Sequence, residues 1–327
     1  MVSRMRQTFK YYIGIDGGGT KTAVCAANTG NTLLRYSETG ASSWREDGAS
    51  NVAKNLREAV NDLIGDDYNR IAGIVMGLPC YGESEEGDYA LGLAIYEAFA
   101  DIPICFTNDV EVGWAGSMAL EPGINIVAGT GSIAFGKDIH GKIARSGGWS
   151  EFFGDEGSCY WIGRKVMELF SKQSDGRMPK DGLYTTVCQE FKLQNDFSFI
   201  DLVHNEYAGY RKQVAGLQLL AKKAALAGSP SARILYEEAV DELLLLVTSV
   251  RDKLDFNDRR LVVSYSGGLF KAGDLVLPDF SRKIEKEGGS LSAPRFKPVE
   301  GALLLAFQHY APDSLEWIQK ILMESKA

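Results

Sequence analysis

Cysteine and histidine are scarce in this sequence, and neither is arranged as a metal site. Its 327 residues include five cysteines and three histidines, with no CxxC pair and no Cys/His cluster. This spacing predicts neither a zinc site nor a disulfide framework. We interpret the five cysteines as reduced, mostly buried small apolar residues. They are Cys25, Cys80, Cys105, Cys159 and Cys188.

Long apolar runs and an excess of positive charge are lacking as well. The basic N-terminal residues are not followed by an apolar segment as long as a secretory signal or a membrane span requires. The net charge of −8, with no basic cluster interleaved with aromatics, argues against a nucleic-acid partner. We therefore expect a cytoplasmic protein whose partners are neither nucleic acid nor membrane.

Apolar residues make up 45% of the chain, which is enough for the cores of two domains. The pattern begins with three strands at 12–15, 22–25 and 32–36, followed by a helix with Ser50 as its N-cap. Two further strands, the second at 102–106, and an intervening helix complete this module. The order of elements predicts a mixed α/β domain.

The same rhythm of elements then begins again. A strand, a glycine-rich turn and a second strand follow one another over 124–135. Laying Asp16 on Gly129 also lays the polar turn at Asn28 on the one at Gly141. Such self-similarity indicates a duplication, and we predict two lobes with a cleft between them.

Three glycines follow Asp16 in the turn between the first two strands. Consecutive glycines weaken a hairpin unless the backbone must bend sharply or approach a ligand closely. The amides of residues 17–19 and the Thr20 hydroxyl can bind phosphate oxygens, and the Asp16 carboxylate can hold Mg²⁺ through its water shell. An ordinary glycine-rich hairpin is the alternative, but such a hairpin does not need the adjoining aspartate.

A second glycine turn follows at Gly129-Thr130-Gly131-Ser132. It is not a Walker A loop, because nothing in the sequence matches GxxxxGK[ST]. It fits GxGxx[GA] formally, but a strand and hairpin follow where a dinucleotide-binding unit requires a helix. We interpret it as a second phosphate-binding turn facing the first, with Thr130 and neighbouring amides available to a nucleotide.

Asp109 comes at the carboxyl end of the strand at 102–106, where open α/β sheets place reactive groups. A hydroxyl that attacks a phosphoryl group must lose its proton, and a nearby carboxylate such as that of Asp109 can accept that proton. Asn108 can hold a second hydroxyl. The alternative is that Asp109 is only the N-cap of the following helix.

An aromatic and acidic segment follows at 147–158. Sugar sites combine an apolar ring against the sugar face with carboxylates that accept its hydroxyls. Otherwise the aromatic residues belong to the core and Asp155 caps the next helix. The residues concerned are Trp149, Glu151, Phe152, Phe153, Asp155 and Glu156.

Taken in order, these motifs resemble the N-acetylglucosamine kinase branch of the BadF/BadG-type ATPase family. The likeness covers most of the chain, and its most specific element is GTG followed by GGW and then GDEGS. The resemblance implies an α/β, duplicated ribonuclease-H-like (actin-like ATPase) fold. The motifs that carry it are Asp16 to Thr20, Asn108-Asp109, Gly129 to Ser132, Gly148-Trp149 with Gly154 to Ser158, and Ser266-Gly267-Gly268.

The resemblance further implies an ATP- and Mg²⁺-dependent kinase for the 6-hydroxyl of an amino sugar, acting as a homodimer in amino-sugar or cell-wall sugar salvage. One domain would comprise 1–112 with a terminal helix at 308–327, and the other 113–307. Asp109 would be the general base. The expected nucleotide-binding residues are Asp16, Gly17, Gly18, Gly19, Thr20, Lys21, Gly129, Thr130, Gly131, Gly267 and Gly268, the last two beside the adenine. The expected acceptor-binding residues are Ser43, Asn108, Asp109, Gly148, Trp149, Ser150, Asp155 and Glu156.

The sequence departs from the family at one acceptor motif. Where relatives often carry Gly-x-[ST]-Asn, this chain has Gly40-Ala41-Ser42-Ser43, so Ser43 stands in place of the asparagine. N-acetylglucosamine, N-acetylmuramic acid and glucosamine are therefore all allowed as acceptors. The zinc-binding cysteines and DNA-binding region of the bacterial repressor-kinase family are also missing.

Two other classes of protein share the fold. An ATPase that activates an electron-transfer system of the 2-hydroxyacyl-CoA dehydratase type would carry a cluster cysteine just before the second glycine turn. This chain has Ile126-Val127-Ala128 there. An actin-like filament or chaperone ATPase would carry a substrate-binding extension, which the sequence lacks. Both classes are weaker alternatives to the kinase.

Overall fold

The computed structural model describes residues 9–19, 21–30, 33–257 and 259–326. They form two compact units: the chain up to residue 121 together with 294 onwards, and the continuous segment 122–293. The divisions predicted at 112/113 and 307/308 fall inside two helices, at 109–118 and 298–310, which the first unit contains whole.

The first unit is built on a five-stranded mixed sheet with the strand order β3-β2-β1-β4-β5. Strands β1 to β3 pair antiparallel, whereas β4 and β5 run parallel to β1. The carboxyl ends of β1, β4 and β5 therefore meet at one edge of the sheet. Its elements are β1 (Tyr11–Asp16), β2 (Thr22–Asn28), β3 (Leu34–Thr39), α1 (Trp44–Asp47), α2 (Ala49–Ile64), β4 (Ile71–Leu78), α3 (Glu85–Phe99), β5 (Ile104–Asn108) and α4 (Asp109–Met118).

The second unit repeats this plan with the strand order β10-β9-β6-β7-β8. Strands β6 to β8 pair antiparallel, and β9 and β10 are parallel to β6 and β9 respectively. Its elements are β6 (Gly123–Ala128), β7 (Ser132–Lys137), β8 (Ile143–Gly147), α5 (Cys159–Ser174), α6 (Gly182–Phe191), α7 (Ser198–Glu206), α8 (Arg211–Gly216), α9 (Gln218–Leu226), α10 (Pro230–Arg251), β9 (Leu261–Ser266), α11 (Leu277–Lys286) and β10 (Gly289–Ser292).

Reading the second sheet from β8 to β10 gives the order and strand directions of the first sheet. This confirms the predicted duplicated α/β fold. The equivalence is one residue off the predicted one, because β1 ends at Asp16 and β6 ends at Ala128. The second unit therefore has an alanine where the first unit has its strand-terminal carboxylate.

Each sheet has apolar residues on both faces. In the first unit, α2 and α3 cover one face through residues such as Leu56 and Ile95, which are fully buried. The other face is covered by α12 (Pro298–Tyr310) and α13 (Leu315–Glu324), which follow the second unit in sequence. Tyr12 of β1 packs on Phe307 of α12 with ring centroids 4.8 Å apart.

Two predictions of detail change in the structure. Helix α2 begins at Ala49 with Gly48 as its N-cap, so the prediction of Ser50 as the cap is wrong. Gly48, at a φ of 77°, ends the short α1 and starts α2 within one residue. Of the cysteines, Cys25 and Cys159 are buried and the other three are partly exposed, and all five are free thiols. None of the described helices is long and apolar enough to cross a membrane.

Candidate active site

The first glycine turn leaves the end of β1 and is held closely by its neighbours. The Gly17 amide donates to the Gly77 carbonyl at 2.7 Å, and a Cβ on Gly17 would lie 2.3 Å from Ser42 Oγ. A Cβ on Gly18 would lie 2.9 Å from the Lys21 carbonyl. Neither residue has a left-handed φ, so these glycines are required by close approach of the backbone.

Asp16 of β1 and Thr107 of β5 lie at the same register position along the sheet, and β4 is the strand between them. Asp16 pairs with Gly77 of β4, and Gly77 pairs with Thr107 of β5. Two strand spacings amount to about 10 Å, and Asp109 follows two residues after Thr107. Between these two strands, Gly77 of β4 places no side chain. A Cβ at this position would lie 2.6 Å from the Val112 side chain of α4.

Asp109 is the first residue of α4, but it is not the N-cap of that helix. Asn108 is the cap, and its Oδ1 accepts from the Val110 amide at 3.1 Å. The Asn108 Nδ2 donates to the Tyr81 carbonyl at 2.8 Å. Both groups of the Asn108 amide thus contact backbone, and the capping alternative for Asp109 falls away.

The carboxylates of Asp16 and Asp109 interact electrostatically. Desolvation by burial is the largest cause that raises the pKa of Asp16 to about 7, and the negative charge of Asp109 raises it further while Lys21 lowers it. Two carboxylates that repel each other at the carboxyl edge of a sheet are typical of a site that binds a cation or moves a proton.

The segment that follows β3 lies against the first glycine turn through Ser42. The Ser42 amide donates to the Gly18 carbonyl at 3.1 Å. The Ser42 hydroxyl is buried, at 1% exposure, and has no hydrogen-bond partner in the described chain. Ser43, the predicted acceptor residue, is also buried and is the N-cap of α1, although its hydroxyl makes no capping hydrogen bond. Sequence reasoning missed Ser42, whose signal was its place in the Gly-x-[ST] part of the motif.

Lys21 and Thr20 complete the predicted residues around this turn. Lys21, the residue before β2, forms an exposed ion pair with Glu38 of β3, with Nζ and Oε1 2.6 Å apart. Thr20 lies outside the described residues, so its predicted phosphate contact stays a prediction.

The second glycine turn has unsatisfied amides. Its Gly129 amide donates to the Gly131 carbonyl at 2.9 Å, whereas the amides of Thr130 and Gly131 have no acceptor among the described residues. The start of α5 supports the turn, because the Cys159 amide donates to the Gly129 carbonyl at 2.9 Å. Exposed amides in a concave turn attract anions, so the turn retains the donors that the sequence interpretation required.

Gly267 and Gly268 lie beside this second turn. Strands β6 and β9 are parallel neighbours, and Val127 pairs with Ser266, so both strands end at the same edge. Gly267 has a φ of 105°, and a Cβ there would lie 2.3 Å from the Ala128 carbonyl. The structure thus brings together the two predicted nucleotide-binding segments of the second unit.

The aromatic residues after β8 do not belong to the core. Trp149, Phe152 and Phe153 are 66%, 82% and 71% exposed, which is unusual for large apolar side chains and leaves them available to a ligand. Gly148 ties the start of this loop to the turn, because its amide donates to the Ser132 carbonyl at 2.9 Å. Ser150, with a φ of 93°, holds a left-handed conformation between them.

Asp155 and Glu156 at the end of this loop also contact the second turn. The Asp155 carboxylate is buried, at 2% exposure; it accepts from the Ser132 amide at 3.2 Å and forms an ion pair with Arg211. The Glu156 carbonyl accepts from the Ser132 hydroxyl at 2.6 Å. Asp155 does not cap α5, since Ser158 does so through the Trp161 amide. Sequence reasoning missed Arg211, which has no motif around it.

Known proteins resemble this chain over most of its length. The model of the BadF/BadG/BcrA/BcrD ATPase family matches residues 13–306. An N-acetylmuramic acid/N-acetylglucosamine kinase of Clostridium acetobutylicum is 27% identical over 307 residues, covering 91% of this chain and 98% of the relative. An N-acetyl-D-glucosamine kinase of Dictyostelium discoideum is 27% identical over 311 residues, covering 90% and 97%.

Solved structures share the fold. A protein of Chromobacterium violaceum assigned as an N-acetylglucosamine kinase superposes with a TM-score of 0.71 at 25% identity, covering 91% of this chain and 99% of that one. A ROK family glucokinase of Streptomyces griseus, in complex with glucose and AMPPNP, has a TM-score of 0.55 at 15% identity, covering 91% and 99%, and is similar in fold alone. Because the family model spans most of the chain, this protein belongs to the BadF/BadG/BcrA/BcrD ATPase family.

Proposed function

We propose that this protein is an ATP-dependent amino-sugar kinase that phosphorylates the 6-hydroxyl of N-acetylglucosamine, N-acetylmuramic acid or glucosamine in amino-sugar or cell-wall sugar salvage. The observation that carries the proposal is the interacting pair Asp16 and Asp109 at one sheet edge, in a chain of this ATPase family. The two amino-sugar kinases that are 27% identical to it support the choice of acceptor. The cytoplasmic location and the homodimer stay predictions.

Asp109 is the proposed general base. As the sugar oxygen attacks the γ-phosphorus, its proton passes to the Asp109 carboxylate, the bond from that phosphorus to the bridging oxygen breaks, and ADP leaves. The start of α4 favours the ionised carboxylate, because the positive end of a helix dipole stabilises an anion. Asn108, bonded at both ends of its amide, fixes where that helix begins.

Asp16 is the proposed contact with Mg²⁺. Magnesium is commonly held by one or two carboxylates with waters and phosphates, and the described residues contain no cluster of three or more acids, histidines or cysteines that would enclose a metal. The chemistry fits, because Asp16 has a pKa raised to about 7 that a cation would lower, and the unpartnered Ser42 hydroxyl lies against Gly17, the residue that follows Asp16. When bound, Mg²⁺ neutralises charge on the transferring phosphoryl group.

The remaining predicted residues divide between nucleotide and acceptor. We propose that the Gly18 and Gly19 segment and the free amides of Thr130 and Gly131 bind phosphate oxygens. Gly267 and Gly268 would border the adenine. The exposed Trp149 offers a ring for a sugar face, and Ser150, Asp155 and Glu156 of the same loop are the proposed polar partners.

The test is a coupled ATP-consumption assay with the three amino sugars, followed by phosphorus NMR of the product to locate the phosphate. Asp109→Asn is expected to lower kcat by about 10² or more, the usual scale of general-base catalysis, with an unchanged thermal midpoint. Glu111→Gln is the matched control, because Glu111 is an acid in the same turn of α4 whose carboxylate is bonded to Thr107. Wild-type turnover by Asp109→Asn would remove Asp109 from the mechanism.

A further inference from the structure

Arg211 lies so close to the second glycine turn that a side chain at position 131 would collide with it. A Cβ built on Gly131 would lie 2.6 Å from the Arg211 Nη2 and 2.6 Å from the Asp155 Oδ1. Arg211 begins α8, a helix distant in sequence from the turn. The absence of a side chain at Gly131 is thus what admits this ion pair to the turn.

The buried carboxylate of Asp155 creates an electrostatic problem at this turn. It accepts from the Ser132 amide at 3.2 Å and approaches Gly131, whose amide has no acceptor among the described residues. Glu151 adds a second carboxylate, with its Oε2 3.5 Å from the Arg211 Nε. A polyphosphate entering here would meet negative charge at close range, which is strongly unfavourable when partly desolvated.

Arg211 is placed to remove that repulsion. Its Nη2 contacts the Asp155 carboxylate, and its Nε is buried without a hydrogen-bond partner among the described residues. The side chain is still 41% exposed, so the pair is open to solvent on one side. One guanidinium therefore faces two carboxylates, with its Nη2 on Asp155 and its Nε 3.5 Å from the Glu151 Oε2.

We propose that Arg211 is a positioning residue for the polyphosphate of the nucleotide: it compensates the Asp155 carboxylate, which holds the Ser132 amide, and so allows the Gly129–Ser132 turn to accept an anion. This inference rests on the proposed function, in which that turn binds phosphate. It assigns a role to a residue that no motif in the sequence marks.

The test measures Mg-ATP affinity by calorimetry for Arg211→Met, Arg211→Lys and the wild type. Removing one compensating charge is expected to weaken ATP binding by about tenfold, the effect of a near charge partly screened by solvent. Arg211→Lys, which keeps the charge, should retain most of the affinity. Adenosine, which lacks phosphate, should bind Arg211→Met as well as it binds the wild type. Arg251→Met is the control, because Arg251 forms an exposed ion pair with Glu287 in the same unit.

The double variant Asp155→Asn/Arg211→Met separates charge compensation from a structural role. It removes both charges, so its ATP affinity should return to within about threefold of the wild type. If Arg211→Met does not fold, Arg211→Lys and the double variant still carry the test, since both must then bind ATP nearly normally. Normal ATP binding by Arg211→Met, an equal loss for adenosine, or a double variant no better than the single one would overturn the inference. Failure of the wild type to bind ATP overturns the proposed function as well.

Discussion

At the scale of single residues, Asn108 and Asp109 have different roles at the start of α4. The sequence alone allowed Asp109 to be either a helix cap or a catalytic base. In the structure the Asn108 side chain accepts from the Val110 amide and so caps the helix. The carboxylate of the next residue, Asp109, interacts electrostatically with Asp16. Because the Asn108 side chain caps the helix, the Asp109 carboxylate is not needed as the cap.

The glycines of the first turn give a prediction that separates fold from binding. Gly18→Ala should lower the thermal midpoint, because its Cβ would lie 2.9 Å from the Lys21 carbonyl. Gly19→Ala should leave the midpoint unchanged, because nothing lies within 4 Å of a Cβ there, yet it should weaken ATP binding where a phosphate must approach the backbone. Differential scanning fluorimetry and calorimetry measure the two quantities. Equal midpoints for the two variants would contradict the steric argument.

At the scale of elements, the crossing of α4 and α12 fixes the position of Asp109. A Cβ on Gly301 of α12 would lie 2.2 Å from both the Gly116 amide nitrogen and the Val112 carbonyl of α4. On the same helix, Leu303 lies so close to β1 that a Cβ on Gly14 would be 2.1 Å from its amide nitrogen. The helix backbone thus rests on both elements that carry the candidate acids.

Gly301→Ala should therefore damage stability and activity together. Overpacking of this kind costs about 1–3 kcal/mol, and α4 must shift with Asp109 at its start, so kcat should fall while the Km for ATP changes less. The control is Gly92→Ala in α3, where a Cβ would meet nothing within 4 Å and the better helix propensity should stabilise the protein by up to about 1 kcal/mol. Urea unfolding and steady-state kinetics measure both effects. A Gly301→Ala variant as stable as the wild type would contradict the packing argument.

Asp181 gives a pH-dependent prediction for the helices of the second unit. It caps α6 through the Leu183 amide at 2.9 Å and accepts from the Ser231 amide at 2.9 Å and the Ser229 hydroxyl at 2.9 Å. Desolvation raises its pKa, but the hydrogen bonds from Ser231 and Leu183 outweigh this, and the net pKa lies below the ordinary value. Its folded-state pKa is thus lower than its unfolded-state pKa, so the stabilisation is present above the unfolded value.

Asp181→Asn should accordingly lower the thermal midpoint at pH 7, and the difference from the wild type should shrink as the pH falls below about 4, where the unfolded carboxyl protonates. Thermal melts from pH 3 to pH 8 provide the measurement. Asp201→Asn, an exposed position on α7, should show no such trend. A difference that grows on acidification would reverse the assigned sign.

At the scale of the whole molecule, the first unit depends on chain that follows the second. Helices α12 and α13 supply Leu303, Phe307 and Ile318 to a core shared with β1 and β2. The second unit is continuous over 122–293 and has its own core. Folding of the first unit must therefore wait for the last part of the chain.

A chain ending at Ala293 should lose the first unit, because deleting α12 and α13 exposes the apolar face of its sheet. Residues 122–293 alone should keep a cooperative melt by circular dichroism. A chain ending at Glu324, the last residue of α13, is the control and should fold normally. Proton–nitrogen NMR spectra distinguish the outcomes, and a dispersed set of first-unit signals in the Ala293 variant would contradict the dependence.

The sequence by itself determined the fold class and the segments that carry the candidate chemistry. The periodicity of strands and the repeated glycine turn predicted the duplicated α/β fold, and Asp16 and Asp109 were evident as acids at strand ends. Such features are local, because strand pattern, glycine content and adjacent residues lie within a few positions of one another.

Tertiary structure alone decided what depends on contacts between distant residues. The return of α12 to the first sheet, the burial of Ser42 against the first turn and the approach of Arg211 to Gly131 have no local pattern. The structure also excludes the alternatives of Trp149 as a core residue and Asp155 as a helix cap, because Trp149 is exposed and Asp155 pairs with Arg211. Burial and charge compensation are properties of the packed chain, because both depend on which groups exclude water from a given side chain.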